Sequence, residues 1–320
     1  MILNERDFIS RGKNSLRNKQ LTDALEFFSS ALKLNPNNPL TLNDRGKIFD
    51  RLRNNSKALT DFNKAIELNP EFAEAYKNRG DIRAKFKEFN LAIDDYTTAI
   101  SINPSLVNAY NNRGLVRKKL GDLTAAELDF STAIDIKPNF TSPYCNRGMI
   151  RDIRGDVEGA IGDYSQAIKL NPKFASAFNN RGICFAKLEN YESAINDYSK
   201  AININKRFAN AYSNRAIARI EVKQYELALE DLNVAINISP NFAVPYLNRG
   251  VFKSEILKQN QEALKDLDKA IELNSKYSNA YYHRALVKKE IGDIDGYSFD
   301  IKSAANLGHN KSSALLTEIK

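Results

Sequence analysis

Arginine recurs in this chain at a fixed interval. Arg11, Arg45, Arg79, Arg113, Arg147, Arg181, Arg215 and Arg249 lie 34 residues apart, and Arg284 follows after 35. A period of this length restricts the fold more than composition does. One supersecondary unit is repeated in tandem, too small to bury its own apolar face and completed by its neighbours. Nine units cover residues 5–38, 39–72, 73–106, 107–140, 141–174, 175–208, 209–242, 243–277 and 278–311. The extra residue of the eighth unit falls in "ILKQNQEA", between its two apolar-periodic segments.

With the arginine numbered as position 7 of the unit, the other recurring residues fall into place. Position 4 is aromatic in eight units (Tyr76, Tyr110 and Phe178 among them) and Leu42 in the second. Position 8 is glycine in seven units and alanine at Ala216 and Ala285. Position 20 is alanine in eight, position 27 in all nine, and position 24 is a ring in the first six. Each unit reads as two amphipathic helices, A over positions 2–14 and B over 18–31. Small residues at 8, 20 and 27 let the two backbones approach, and the rings fill the space beside them. Proline at position 32 in six units, such as Pro104 and Pro172, ends helix B.

These positions resemble the tetratricopeptide repeat (TPR) family, and the resemblance covers almost the whole chain. It implies an all-α protein: an α-solenoid wound as a right-handed superhelix of nine helix-turn-helix units. On this reading residues 1–320 form a single solenoid. A C-terminal capping helix begins near His309, and residues 312–320 complete it. In the family, positions 2, 5, 6, 9, 12 and 13 of helix A line a concave groove, while 4, 7 and 11 face helix B. The chain departs from the family where leucine at 7 and tyrosine at 11 are usual, since here both positions are commonly basic.

An arginine aimed at helix B needs a partner, and position 23 supplies aspartate in eight units. We expect an ion ladder of Arg79, Arg113, Arg147, Arg181 and Arg215 with Asp95, Asp129, Asp163, Asp197 and Asp231, formed within a repeat or between neighbours. Guanidinium can fork onto a carboxylate while its stem covers apolar surface.

The groove positions carry the candidate binding residues. Position 6 is Asn78, Asn112, Asn146, Asn180, Asn214 and Asn248 in six consecutive units. An amide both donates and accepts, so one per repeat could hold the backbone of an extended peptide. The pattern resembles the asparagine ladder of O-linked N-acetylglucosamine transferases. The structural alternative is an asparagine that bridges neighbouring helices. Position 9 turns apolar from the fourth unit onward, with Leu115, Met149, Ile183, Ile217 and Val251, then Leu286. An apolar strip on a solvent-facing surface marks a binding face. Position 13 forms a wall that is basic early (Lys85, Lys119, Lys187) and acidic late (Glu221, Glu255). Lys77 at position 5 is followed by Asp81 at position 9, so the lysine–asparagine pair of chaperone-tail clamps is missing.

The function classes narrow accordingly. Two histidines, His283 and His309, and no nucleophile motif, phosphate loop or metal spacing leave no basis for an enzyme or a cofactor. The net charge of +8 favours acidic partners weakly. The apolar strip and the glutamates of position 13 disfavour nucleic acid, although an RNA-binding helical repeat stands as an alternative. No apolar run is long enough to span a bilayer and no signal peptide opens the chain, so a cytoplasmic location is expected. The reading is a non-catalytic scaffold that binds an extended segment of a protein or peptide. A self-associating assembly scaffold is the other alternative, with the oligomeric state left open between a monomer and end-to-end contacts.

Overall fold

The computed structural model describes residues 4–318. Every regular element among them is an α-helix, and no strand occurs among the described residues. The chain divides into two units, one extending to Leu170 and one beginning at Asn171. The first holds α1 (Glu5–Arg17), α2 (Leu21–Leu34), α3 (Pro39–Arg51), α4 (Asn55–Leu68), α5 (Ala73–Lys85), α6 (Phe89–Ile102), α7 (Val107–Lys119), α8 (Leu123–Ile136), α9 (Thr141–Ile153) and α10 (Val157–Leu170). The second holds α11 (Ala175–Lys187), α12 (Tyr191–Ile204), α13 (Ala209–Glu221), α14 (Tyr225–Ile238), α15 (Ala243–Glu255), α16 (Asn260–Leu273), α17 (Ser278–Glu290), α18 (Ile294–Asn306) and α19 (Asn310–Glu318).

Within each unit every odd-numbered helix up to α17 pairs with the next as a hairpin, and the hairpins stack. The A helices of neighbouring repeats also touch, α5 with α7 and α13 with α15, so they share one face. Both helices begin and end one residue earlier than the sequence pattern indicates. In the fourth repeat α7 covers positions 1–13 and α8 positions 17–30. The reason lies at the ends. Asn103, the residue before Pro104, takes an extended conformation (φ −132°, ψ 91°) as the C-cap of α6. After helix A, position 15 is left-handed: Gly121 (φ 86°) and Gly155 (φ 85°), but also Lys87 (φ 63°) and Glu189 (φ 58°).

The hairpin core follows from sizes. Ala24, Ala58, Ala92 and Ala126 at position 20 are fully buried, as are Ala31, Ala65, Ala99 and Ala133 at position 27. A Cβ on Gly114 would stand 2.8 Å from Phe130 Cε1, so the ring at position 24 requires glycine at position 8. Where position 8 is instead Ala216 or Ala285, position 24 is Leu232 or Ile301, without a ring. The eighth repeat's extra residue lengthens one turn: residues 256–259 join α15 to α16, whereas residues 188–190 join α11 to α12. At the end of the second unit, Leu315 and Leu316 of α19 pack on Ala285, Tyr297 and Ile301, so α19 covers the last hairpin. Residues 319–320 of the expected capping segment lie outside the described residues.

Candidate functional site

The arginine at position 7 reaches across its own hairpin. Arg147 Nε donates to Asp163 Oδ2 at 2.9 Å and Nη2 to Oδ1 at 2.7 Å. The same fork joins Arg113 to Asp129, Arg181 to Asp197 and Arg215 to Asp231, and Arg79 Nη2 meets Asp95 Oδ1 at 2.6 Å. The pairing lies within one repeat, 16 residues apart. The aspartates are buried, and four of these five are held by a second cation from position 11: Arg83 on Asp95 at 2.8 Å, Arg117 on Asp129 at 2.9 Å, Arg151 on Asp163 at 3.1 Å and Arg219 on Asp231 at 2.6 Å, whereas position 11 of the sixth repeat is Phe185. The hydrogen bond to Asp163 raises the pKa of Arg147 despite partial burial.

A third link escaped the sequence reading. The remaining guanidinium nitrogen donates back to position 25 of the preceding helix B: Arg79 to Asn63 (3.0 Å), Arg113 to Thr97 (3.0 Å), Arg147 to Ser131 (3.1 Å) and Arg215 to Ser199 (2.9 Å). Each of these arginines therefore ties two hairpins together. The signal was present as a short polar residue at position 25 of every repeat from the second to the seventh, for example Asn63, Ser199 and Asn233.

The asparagines of position 6 do less facing outward than the helical wheel indicates. Asn78 is buried, and its Nδ2 donates to Asn43 Oδ1 of the preceding repeat at 2.7 Å. Asn146 donates to Asn111 (3.0 Å), Asn214 to Asn179 (3.1 Å) and Asn248 to Ser213 (3.0 Å) in the same way. Asn112 donates to Asp81 instead (2.8 Å), because position 5 of the repeat before it is Lys77. Asn112 and Asn180 accept from Asn111 and Asn179 beside them. In Asn78, Asn112, Asn146, Asn214 and Asn248 an amide N–H thus bridges neighbouring repeats, the structural alternative raised above. Position 5, with Asn43, Asn111 and Asn179 nearly buried, belongs to the joint between repeats.

The floor at position 9 is half-buried at Leu115, Met149, Ile183 and Val251, and Ile217 is 39% exposed. Asp81, earlier on the same row, is saturated: it accepts from Tyr96 Oη (2.9 Å), Asn112 (2.8 Å) and Lys77 (3.1 Å). The basic side chains of the first unit's wall are partly engaged. Lys85 pairs with Asp50, and Lys119 Nζ stands 5.7 Å from the centre of the Phe89 ring. The corresponding residues of the second unit, Lys187, Glu221 and Glu255, rim two clefts.

The first cleft, about 340 Å³, lies between α11 and α13 and contains Ile183, Asn214 and Ile217. The second, about 260 Å³, lies between α13 and α15 and contains Ile217, Asn248, Val251 and His283. Ile217 and Glu221 line both. A third, about 430 Å³, shares Asn279 and His283 with the second and continues to His309 and Lys311. Burial, then the nearby His309 and Lys311, lower the pKa of His283 to about 4.

Among the described residues no group of three or more histidine, cysteine or acidic side chains could hold a metal ion, and no helix is long and apolar enough to cross a membrane. Cys145 and Cys184 are buried thiols, and burial pushes Cys145 up to about 11.

Tetratricopeptide repeat models match residues 41–72, 107–140 and 175–208, and a TPR repeat model matches 80–121 and 153–189. No curated protein matches the chain. Among solved structures, the Cut9–Hcn1 hetero-tetramer of the APC/C aligns with a TM-score of 0.65 at 16% identity, over 88% of this chain and 55% of that one. A tetratricopeptide repeat protein from Parabacteroides merdae aligns at 0.57 and 20% identity, over 73% of this chain and 93% of that one. YrrB, a TPR protein described as having an unusual peptide-binding site, aligns at 0.49 and 24% identity, over 57% and 95%. The 34-residue period, the helical hairpins and the matching repeat models agree, and the chain belongs to the tetratricopeptide repeat family.

Proposed function

We propose that this protein is a non-catalytic interaction scaffold whose A-helix face takes an extended segment of a partner protein. The supporting observation is the row of clefts across α11, α13, α15 and α17, each sharing residues with the next. Their floor is Ile183, Ile217 and Val251, side chains that water would otherwise cover. Burying them against apolar side chains of a partner contributes about 25 cal/mol per Å² removed from water. Asn214 and Asn248 stand beside that floor. Each has used an N–H on the preceding repeat, and its carbonyl oxygen remains to accept a partner's backbone N–H. The rims add direction: Glu221 and Glu255 favour a segment that is basic where it crosses the seventh and eighth repeats.

The test is binding of an arrayed peptide library to the whole protein, compared with Ile217→Asp. Ile217 is part exposed, so the charge should leave the fold intact while placing a carboxylate between two clefts. Loss of the peptides selected by the unaltered protein is expected. An unchanged selection would overturn this reading.

A further inference from the structure

The cleft between the sixth and seventh repeats has two features that its neighbours lack. The first is a missing side chain. Position 10 of helix A is Ile48, Ile82, Val116, Ile150, Phe252 or Val287 in most repeats, but Ala218 in the seventh. Phe252, one repeat later, packs against Ala216, Ala228 and Leu232 and fills the equivalent space. Ala218, with Ala186 opposite, leaves it open toward the groove.

The second feature is a hydroxyl. Tyr198 of α12 is 2% exposed, lines this cleft, and packs on Ala194 and Ala218. Its counterpart Tyr96 donates to Asp81 at position 9 of its own repeat. In the sixth repeat position 9 is Ile183, which offers no acceptor, and no protein group among the described residues bonds the Tyr198 hydroxyl. Phenylalanine would fill the same place, as Phe28, Phe62 and Phe130 do elsewhere. Among the described residues the buried side-chain polar atoms without a partner belong to Thr41 and Arg219, so the Tyr198 hydroxyl is not sealed in: it opens on the cleft, where a ligand group can take the place of water.

We infer that this cleft is a side-chain pocket for one anchor residue of the partner: an uncharged side chain with an apolar stem and a hydrogen-bonding tip. The tip, such as the amide of a glutamine or a phenolic hydroxyl, meets the Tyr198 hydroxyl, while Ile183, Ala186, Ile217 and Ala218 enclose the stem. A charged tip is excluded because these walls cannot replace its hydration. Lys187 rims the cleft on α11 and Glu221 on α13, so a basic residue beside the anchor is favoured on the α13 side, toward Glu255 one repeat on. The inference rests on the proposed groove and adds what the groove selects.

The experiment uses the full chain and an arrayed library of nine-residue peptides, with Tyr198→Phe and Ala218→Val as variants. Both substitutions install residues that other repeats carry at the same positions, and circular dichroism through a melt checks that they fold. The unaltered protein should select an anchor with a polar, uncharged tip. Tyr198→Phe should weaken the best such peptide about fivefold, the loss of one hydrogen bond, and leave unchanged a peptide whose anchor is leucine. Ala218→Val should abolish the anchor preference. Selection of a charged anchor, or the same selection by both variants, would overturn the pocket and leave the groove standing. If the unaltered protein selects no peptide, or Ile217→Asp selects the same ones, groove and pocket both fall.

Discussion

Arg147 grips Asp163 with two prongs of its guanidinium and turns the third toward Ser131 of the preceding repeat. One side chain thereby closes its own hairpin and joins it to the next. A fork onto a buried carboxylate is not cheap, since desolvating both ions offsets much of their attraction. What it supplies is geometry, as the planar fork fixes the separation of helices A and B.

Breaking the fork from one side should therefore be worse than removing it. Asp163→Ala leaves Arg147 facing apolar surface and should lower stability by about 3 kcal/mol. Arg151, which also reaches Asp163, retains Glu127. Adding Arg147→Leu should recover part of the loss. Urea denaturation measures both, and a double variant less stable than Asp163→Ala would show that the arginine is stabilising without its partner.

The bridges between repeats predict that the asparagines matter to stability as well as to binding. Asn214→Ala removes the donor to Asn179 Oδ1, an oxygen on a nearly buried residue, and should cost about 1 kcal/mol. Hydrogen exchange should rise at α11 and α13. A variant with native protection there and weakened peptide binding would assign Asn214 to the partner alone.

The pairing of glycine with a ring gives a third expectation. Gly114→Ala forces a methyl against Phe130 and should destabilise by about 1–3 kcal/mol. Phe130→Leu in that background reproduces the Ala216–Leu232 pair of the seventh repeat and should restore part of the loss. Additive effects of the two changes, read from thermal melts, would show that the two sites are not coupled through this contact.

His283 sets a pH dependence. Its folded pKa, about 4, lies below the unfolded value of 6.5, so the folded state binds fewer protons between these limits. Stability from this group is complete above about pH 6.5 and is lost as pH falls toward 4. Glu255 Oε1, 3.7 Å from Nδ1, acts in the opposite sense, and His309 and Lys311 reinforce the shift. Replacing His283 with glutamine should reduce the loss of stability between pH 7 and pH 5, measured by urea midpoints at each pH. An unchanged slope would remove His283 as its source.

Much of this fold could be read from the chain because a tandem repeat states its constraints nine times. The period, the two helices per unit, the glycine under each ring and the candidate Arg–Asp partners all follow from residue type at fixed positions. Helical geometry grouped positions 6, 9 and 13 on one face, the family resemblance made that face the groove, and Ile183, Ile217 and Val251 do line clefts. What a wheel cannot show is the distance to the next repeat. Only the packed hairpins placed Asn78 against Asn43, Arg79 against Asn63, and Asp81 beneath Tyr96. The Tyr198 pocket is of the same kind. It depends on an alanine in one helix, an isoleucine in a second and a hydroxyl in a third. The sequence by itself determined the repeating hairpin, because helix periodicity and side-chain volume are local. Tertiary structure decided which polar groups are used up between repeats and which remain for a partner, because hydrogen bonding depends on distances that only packing sets.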